Sequence, residues 1–332
     1  MKRRKKPFII LAVILVVVLL VAGYIKFFNG SLIYFTTGMK SGELIKTAGQ
    51  KITYTCEADI LMSDVKKEYE EMFGSDIWKE KIGDADFESY IKDQIKSKLM
   101  RVKAMNVKAK ERGVVLGREE KDSVSKAVDA FYNELTESQI SSTGITKDKL
   151  NTMFTEFAVA QKLYDDITSS MDIEVSADEA RVIDIQYIVS DSEEEINKAY
   201  NLVNSGSSFF AVAKEYNADG EYEYELKRDE MDEAFEKAAF NLSTGEMSRI
   251  VEAAGRYYII RCTSDNDKAK TEVNKSAILE KRKLEQFNAD FEKYEAGIYM
   301  EFNNSEWKKL SIQDAYTLES SFEDTFNAYF GK

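Results

Sequence analysis

Residues 8–25, FIILAVILVVVLLVAGYI, contain no charged side chain and no proline. Few structures accept such a run. Eighteen residues in a helix, at about 1.5 Å rise each, reach about 27 Å, close to the ~30 Å hydrocarbon core of a bilayer. MKRRKKP stands directly ahead of the run. A basic flank stays on the cytoplasmic side, so the pattern predicts a single-pass anchor with the rest of the chain outside the cytoplasm. A cleaved signal sequence is the alternative reading.

The remainder of the chain fits an extracytoplasmic body. Lys2, Arg3, Arg4, Lys5, Lys6 and Lys26 are basic, and no acid precedes Glu43. The whole chain carries a formal charge of −13; with those six set aside, 40 basic residues face 59 acidic ones, a balance of −19. An acidic body repels phosphate backbones, which argues against nucleic acid as a partner. Tyr24 stands where a lipidated cysteine would follow Leu20-Val21-Ala22-Gly23, which excludes a lipoprotein. The two cysteines, Cys56 and Cys262, read as buried free thiols, with one disulfide as the alternative. The single proline, Pro7, precedes the apolar run, so no prolyl bond limits folding of the body.

Along the body, the period of the apolar residues changes once. Phe87, Ile91, Ile95, Leu99 and Val102 form a helical stripe, as do Val124, Val128, Phe131 and Leu135. Leu150, Phe154, Phe157, Gln161, Tyr164 and Ile167 form a third, imperfect at Gln161. Helical periodicity begins near Met62, after a short stalk and a first strand within 27–50. Past Met171 the pattern becomes mixed. It predicts a strand over 182–189, helices over 193–204, 208–216 and 232–240, and a strand over 257–262. A long charged helix over 268–295, an alternating IYMEF from Ile298 and a final amphipathic helix over 312–330 complete the chain.

Four stretches carry a resemblance. ARVIDIQYIVSDSEEEINKAYNLV from Ala180 reads as a strand running into a helix, and FEKAAFNLSTGEMS from Phe235 as a helix running into a G-E-x-S turn. SSFFAVAKEYN from Ser207 and RYYIIRC from Arg256 fit around them. In this order they resemble the parvulin (PpiC) prolyl-isomerase domain. The flanking segments are similar in arrangement to the SurA/PrsA-type extracytoplasmic foldases. The resemblance implies an α+β chain: a mostly helical chaperone domain built from N- and C-terminal segments, with an inserted parvulin-like α+β domain, after an N-terminal transmembrane helix. The implied divisions are a basic flank over 1–7, the anchor over 8–25, an N-terminal chaperone region over 26–176, the parvulin-like domain over 177–265, and a returning segment over 266–332. IYMEF would pair near a strand around Ile52.

The family's first strand usually carries a histidine where Gln186 stands, and its closing strand a second where Tyr258 stands; this chain has no histidine at all. DGEYEYELKRDE, over 219–230, replaces the family's glycine-rich loop. The resemblance makes Gln186 and Tyr258 the candidate catalytic pair, as polar support beneath a proline pocket. Met231, Phe235 and Phe240 are the candidate substrate-binding residues. Met231 and Phe235 keep the M-x-x-x-F spacing, and on a helix residues four apart share a face. Plain core packing is the competing reading for all five. No cofactor or metal is expected, and the acidic run Asp229, Glu230, Asp232 and Glu233 reads as a solvated face. The partners implied are unfolded exported proteins and X–Pro segments. Three readings stand open: a foldase with isomerase activity, an inactive holdase or assembly scaffold, and a structural envelope protein.

Overall fold

The computed structural model describes residues 38–218 and 220–331. The expected anchor over 8–25 lies outside them; among the described residues no helix is long and apolar enough to cross a membrane. The chain divides into two compact units. One takes the chain up to Asp166 together with Glu292 onward, and the other is Ile167–Phe291.

The first unit opens with strands β1 (Glu43–Thr47) and β2 (Thr53–Tyr54), followed by helix α1 (Thr55–Phe73). A 3-10 turn and a two-residue hairpin, β3 (Lys81–Ile82) and β4 (Ala85–Asp86), lead into α2 (Phe87–Arg112). Then come α3 (Arg118–Asn133), α4 (Glu137–Thr143) and α5 (Lys147–Thr168), the last of which carries the chain into the second unit. Local chemistry sets these limits. The Asp86 carboxylate accepts Ser89 N–H at 2.7 Å and starts α2. Gly113, at φ 72°, ends it by donating to Ala109. The stripe from Phe87 to Val102 is buried throughout, as are Val124, Val128, Phe131, Leu150 and Phe154.

Two helices differ from the sequence expectation. α1 starts at Thr55, about two turns before Met62, because Cys56, Ala58, Ile60 and Leu61 already face the interior. α4 was not foreseen: none of its residues is buried, so it leaves no apolar stripe to read.

The second unit begins with a short helix α6 (Ala177–Ala180) and strand β5 (Ile183–Ser190). Helices α7 (Glu193–Asn204) and α8 (Phe209–Tyr216) precede strand β6 (Glu223–Leu226). Helix α9 (Glu233–Phe240), strands β7 (Val251–Ala253) and β8 (Arg256–Ser264), and the long α10 (Lys268–Glu295) follow. The four strands form one antiparallel sheet in the order β6-β5-β8-β7.

Back in the first unit, β9 (Met300–Phe302) pairs antiparallel with β1, Ile45 opposite Phe302 and Thr47 opposite Met300. The sheet order is β2-β1-β9, so the partner is the segment around Ile45; Ile52 lies beside β2, on the far side of β1. Helices α11 (Asn304–Trp307) and α12 (Phe322–Phe330) close the chain. The expected helix from Ile312 forms only from Phe322. The stretch before it is pinned by side chains of other helices: Glu88 accepts Ile312 N–H at 2.6 Å, Ser63 accepts Leu318 N–H at 2.9 Å, and Asp64 accepts Phe322 N–H at 3.1 Å. The Leu318 amide is one that a helix running from Ile312 would have used, while the Phe322 amide is a free first-turn donor of the helix that does form. α12 then packs through an aromatic run, with Phe322 4.6 Å from Phe154 and Phe326 4.9 Å from Phe330, centroid to centroid.

Candidate functional site

Strand alternation divides the second unit's sheet into two apolar faces. One holds Ile188 and Ile259 beneath α7 and α8, with Ile196, Ala199, Phe209 and Val212. The other holds Ile185, Val189, Tyr258 and Ile260 beneath α9, with Phe235, Ala239 and Phe240.

The segment joining α9 to β7 is stitched to β8 by the residues that made FEKAAFNLSTGEMS specific. Gly245, at φ 90°, donates to Cys262 at 2.8 Å. Glu246 folds its carboxylate back onto Ser243 N–H at 2.7 Å. Buried Ser248 donates its N–H to Ile260 and accepts Ile260 N–H on its hydroxyl at 2.9 Å. Asn217, at the end of α8, does comparable work for β5. Its carboxamide oxygen accepts Val189 N–H at 2.9 Å, and its nitrogen donates to the carbonyls of Tyr187 and Glu221. Asn217 was not singled out from sequence; the only signal was its place at the end of the A-x-x-Y helix.

Phe235 and Tyr258 meet edge to face, with ring centroids 5.0 Å apart. Phe235 is fully buried and Tyr258 nearly so. Phe240 belongs to the same cluster, but its ring is covered. The Arg228 guanidinium lies 3.8 Å from its centroid and that of Arg181 5.0 Å away, while Arg228 grips Asp178 by two bonds of 2.9 Å.

Met231 is placed differently from the helical expectation. Asp232 caps α9 by accepting Ala234 N–H at 2.9 Å, so Met231 precedes the helix and the i, i+4 argument does not hold. Its backbone, with that of Glu230, donates to Glu236, in a turn where Asp229 has φ 64°. Met231 is 37% exposed, four residues ahead of the buried Phe235.

The structure does not bring Gln186 and Tyr258 together. Gln186 pairs with Arg261 and Tyr258 with Val189 across the β5–β8 ladder. Three residues separate the two rungs, and an odd separation puts the side chains on opposite faces. Gln186 instead donates to Glu223 on β6 at 3.1 Å. A different polar group shares the Tyr258 face. Arg256 stands two residues before it on β8, bonded through Nε to Asp191 at 2.6 Å. That carboxylate raises the guanidinium above its ordinary range, and the Tyr258 side chain adds to the same effect. Sequence reading passed over Arg256, because its tie to Asp191 spans the ends of two strands.

Both cysteines are free and buried, and burial pushes the Cys56 thiol up to about 12. Among the described residues no group of acids and cysteines is arranged to hold a metal ion.

Comparison with known proteins places this geometry. Residues 173–275 match the model of the PPIC-type PPIASE domain. The foldase protein PrsA of Caldanaerobacter subterraneus subsp. tengcongensis is 26% identical over 245 residues, 67% of this chain and 73% of that protein. PrsA of Clostridium botulinum (strain Langeland) is 25% identical over 298 residues, 77% and 81%. The crystal structure of peptidylprolyl isomerase (PrsA) from Bacillus cereus aligns over 87% of this chain and 99% of its own, at 18% identity and a TM-score of 0.37. Residues 173–275 therefore form a domain of the PPIC type, in a chain whose likeness extends to the PrsA foldases.

Proposed function

We propose that this chain is an extracytoplasmic protein-folding factor, held at the membrane by residues 8–25. Its first unit holds unfolded exported chains, and its PPIC-type domain turns over their X–Pro bonds slowly. In this reading the chaperone part comprises 26–176 and 266–332, and the isomerase part 177–265.

The observation that carries the isomerase reading is the contact between Phe235 and Tyr258, with the tyrosine at the position of the family's second histidine. Rotation about an X–Pro bond breaks no covalent bond and moves no proton. Its barrier, on the order of 20 kcal/mol, is the amide resonance lost when the bond is twisted. A catalyst needs to bind the twisted amide better than the planar one. Met231, partly exposed, offers a flexible apolar edge to the pyrrolidine ring, with the buried Phe235 ring as packing behind Tyr258. The Tyr258 hydroxyl can donate a hydrogen bond that strengthens as the carbonyl or nitrogen gains charge. None of these steps needs a titrating group, so a domain without histidine retains a route. Gln186 lies on the opposite face of the sheet and adds no second polar group beside Tyr258, which supports low turnover.

The second reading, a holdase whose isomerase fold only binds, is favoured by the burial of Phe235 and by the covered ring of Phe240. One assay separates the two. The full chain should accelerate cis–trans exchange in an Ala-Pro tetrapeptide, measured by NMR exchange spectroscopy, and should suppress aggregation of a chemically unfolded client. Suppression without acceleration selects the holdase. Neither effect removes both.

A further inference from the structure

The end of α1 breaks the pattern that buries the rest of that helix. Its first half faces the interior with Cys56, Ala58, Ile60 and Leu61, but its last two residues, Met72 and Phe73, are 56% and 62% exposed. Gly74, at φ 77°, stops the helix there, and the 3-10 turn Ser75–Lys79 and the β3–β4 hairpin follow. Ile82, in that hairpin, is 45% exposed. Single exposed apolar side chains are common; several gathered at one end of a unit mark a surface that meets something.

This end is built on ordered packing. Tyr69 lies 6.1 Å from Phe73, 6.0 Å from Trp78 and 5.3 Å from Phe87, and Trp78 lies 5.6 Å from Phe87, centroid to centroid. Trp78 and Phe87 are buried. The Trp78 indole donates to Glu70 on α1 at 2.9 Å, and the Phe87 N–H donates to the Glu80 carbonyl at 2.8 Å. The turn and the hairpin are thereby fixed to both helices, and the exposed side chains stand on a settled base.

The charge around them is predominantly negative. Residues 68–90 carry eight acids against two lysines. Lys79 is paired with Asp76 at 2.7 Å. Lys66 and Lys67, earlier on α1, donate to the carbonyls of Gln313, Ala315 and Glu319. Glu68, Glu71, Glu80 and Asp84 are exposed, and none of their carboxylates has a partner among the described residues. Such a rim repels an anionic lipid surface. A second copy docked face to face would set these acids against their own images. A cationic partner is drawn to them.

We propose that this end of the first unit docks client segments in which an aliphatic or aromatic side chain is flanked by lysine or arginine. The apolar side chain packs against Met72, Phe73 and Ile82, with Met72 adapting to its shape. The flanking cations meet Glu68, Glu71, Glu80 and Asp84. The inference rests on the holding role proposed for the first unit and names the class of segment that the unit takes.

The experiment uses the full chain and three labelled, proline-free decapeptides, with binding read by fluorescence anisotropy. The first peptide carries leucine and phenylalanine flanked by lysines, the second has glutamate at every lysine, and the third has serine at the leucine and phenylalanine. Without proline, none of them reports on X–Pro turnover. The first should bind at least about tenfold more tightly than either of the others. Phe73→Ser combined with Ile82→Ser should weaken it by about tenfold. Glu71→Lys combined with Glu80→Lys should weaken the first peptide and make the second the tighter one. Val115→Ser is the control: it removes a 69% exposed side chain beyond the far end of α2, about 39 Å from Phe87 along the helix, and should leave binding unchanged. All of these side chains are exposed, so melting curves should match that of the unaltered chain.

Equal affinity for the lysine and glutamate peptides overturns the proposal, as does unchanged binding by the Phe73→Ser, Ile82→Ser variant. A dimeric sedimentation mass that this variant reduces to the monomer assigns the patch to a second copy and also overturns it. If the variant suppresses client aggregation as well as the unaltered chain does, the holding role stands and this docking end falls. If the unaltered chain suppresses nothing, the holding role itself falls and takes this inference with it, a result seen before any residue is changed.

Discussion

The Lys103 ammonium lies 2.5 Å from Glu156 Oε2, and the two side chains are 1% and 7% exposed. The same ammonium donates to the Lys51 carbonyl at 2.7 Å. Nearby, Glu57 is also buried, with its carboxylate accepting Tyr54 N–H at 2.9 Å. Two carboxyls thus share one buried cation.

Burial raises the Glu57 carboxyl from 4.5 to about 8, more than Lys103 lowers it, and the Glu156 charge adds to the rise. The folded state therefore binds this proton more tightly than the unfolded state. Its stabilisation is complete below the ordinary carboxylate range and is lost as pH rises through about 8. Glu57→Gln keeps the acceptor for Tyr54 and removes the titration. The variant should melt within about a degree of the unaltered chain at pH 5, and several degrees above it at pH 9. A difference that does not change with pH would refute the assignment.

Asn217 satisfies three backbone groups around β5, two of them in the strand itself. Asn217→Ala should cost the second unit about 1–3 kcal/mol for each buried group left unpaired. Hydrogen exchange should quicken first at the Val189 amide. Protection at Val189 equal to that of the unaltered chain would show that another group replaces the carboxamide.

The β7–β8 hairpin turns on Ala254 and Gly255, at φ 49° and φ 76°. Two left-handed residues in a row are the type I′ pattern, and alanine is a poor choice for the first. Ala254→Asn should stabilise the domain by about 0.5–1 kcal/mol, whereas Gly255→Ala should destabilise it by about 1–2 kcal/mol. Chemical denaturation of both variants checks the sign.

Gln186 and Tyr258 sit on opposite faces of the sheet, so their substitutions should separate. Gln186→Ala should leave tetrapeptide isomerisation within about twofold of the unaltered chain, while Tyr258→Phe slows it by about tenfold. Equal losses would mean that Gln186 reaches the same site by a route other than the strand.

Much of the second unit was legible because its elements announce themselves locally. The charged helix over 268–295 and the strand in RYYIIRC both have strong periods and clear ends. β6 was not legible: three of the four residues of EYEL are exposed and only Leu226 is buried, and it becomes a strand because β5 supplies the ladder, Ile183 opposite Leu226. The helix over 312–321 was a false reading of apolar spacing. Ile312 and Leu318 are buried as separate pins, held by Glu88 and Ser63 from distant helices. The pairing of Gln186 with Tyr258 failed for a related reason. Each position was read correctly on its own strand, but the face it shares depends on the register between strands. Register is a relation between distant segments that neither segment states alone. Arg256 was missed because its meaning comes from Asp191, which reaches it only after β5 and β8 have paired.

The pairing of β9 with β1 has a consequence for any chain made N-terminus first. β1 is complete early and waits, its free edge unpaired, until Met300–Phe302 has followed. The second unit is continuous in sequence and all four strands of its sheet lie within it, so they are present before the tail is. The growing chain thus passes through a stage in which the strands of the inserted domain are all available while the first sheet is still open. During that stage Leu44 and Ile45, fully buried in the finished protein, are without their β9 cover. A folding factor of this design spends the first part of its own life as the kind of client it is proposed to hold.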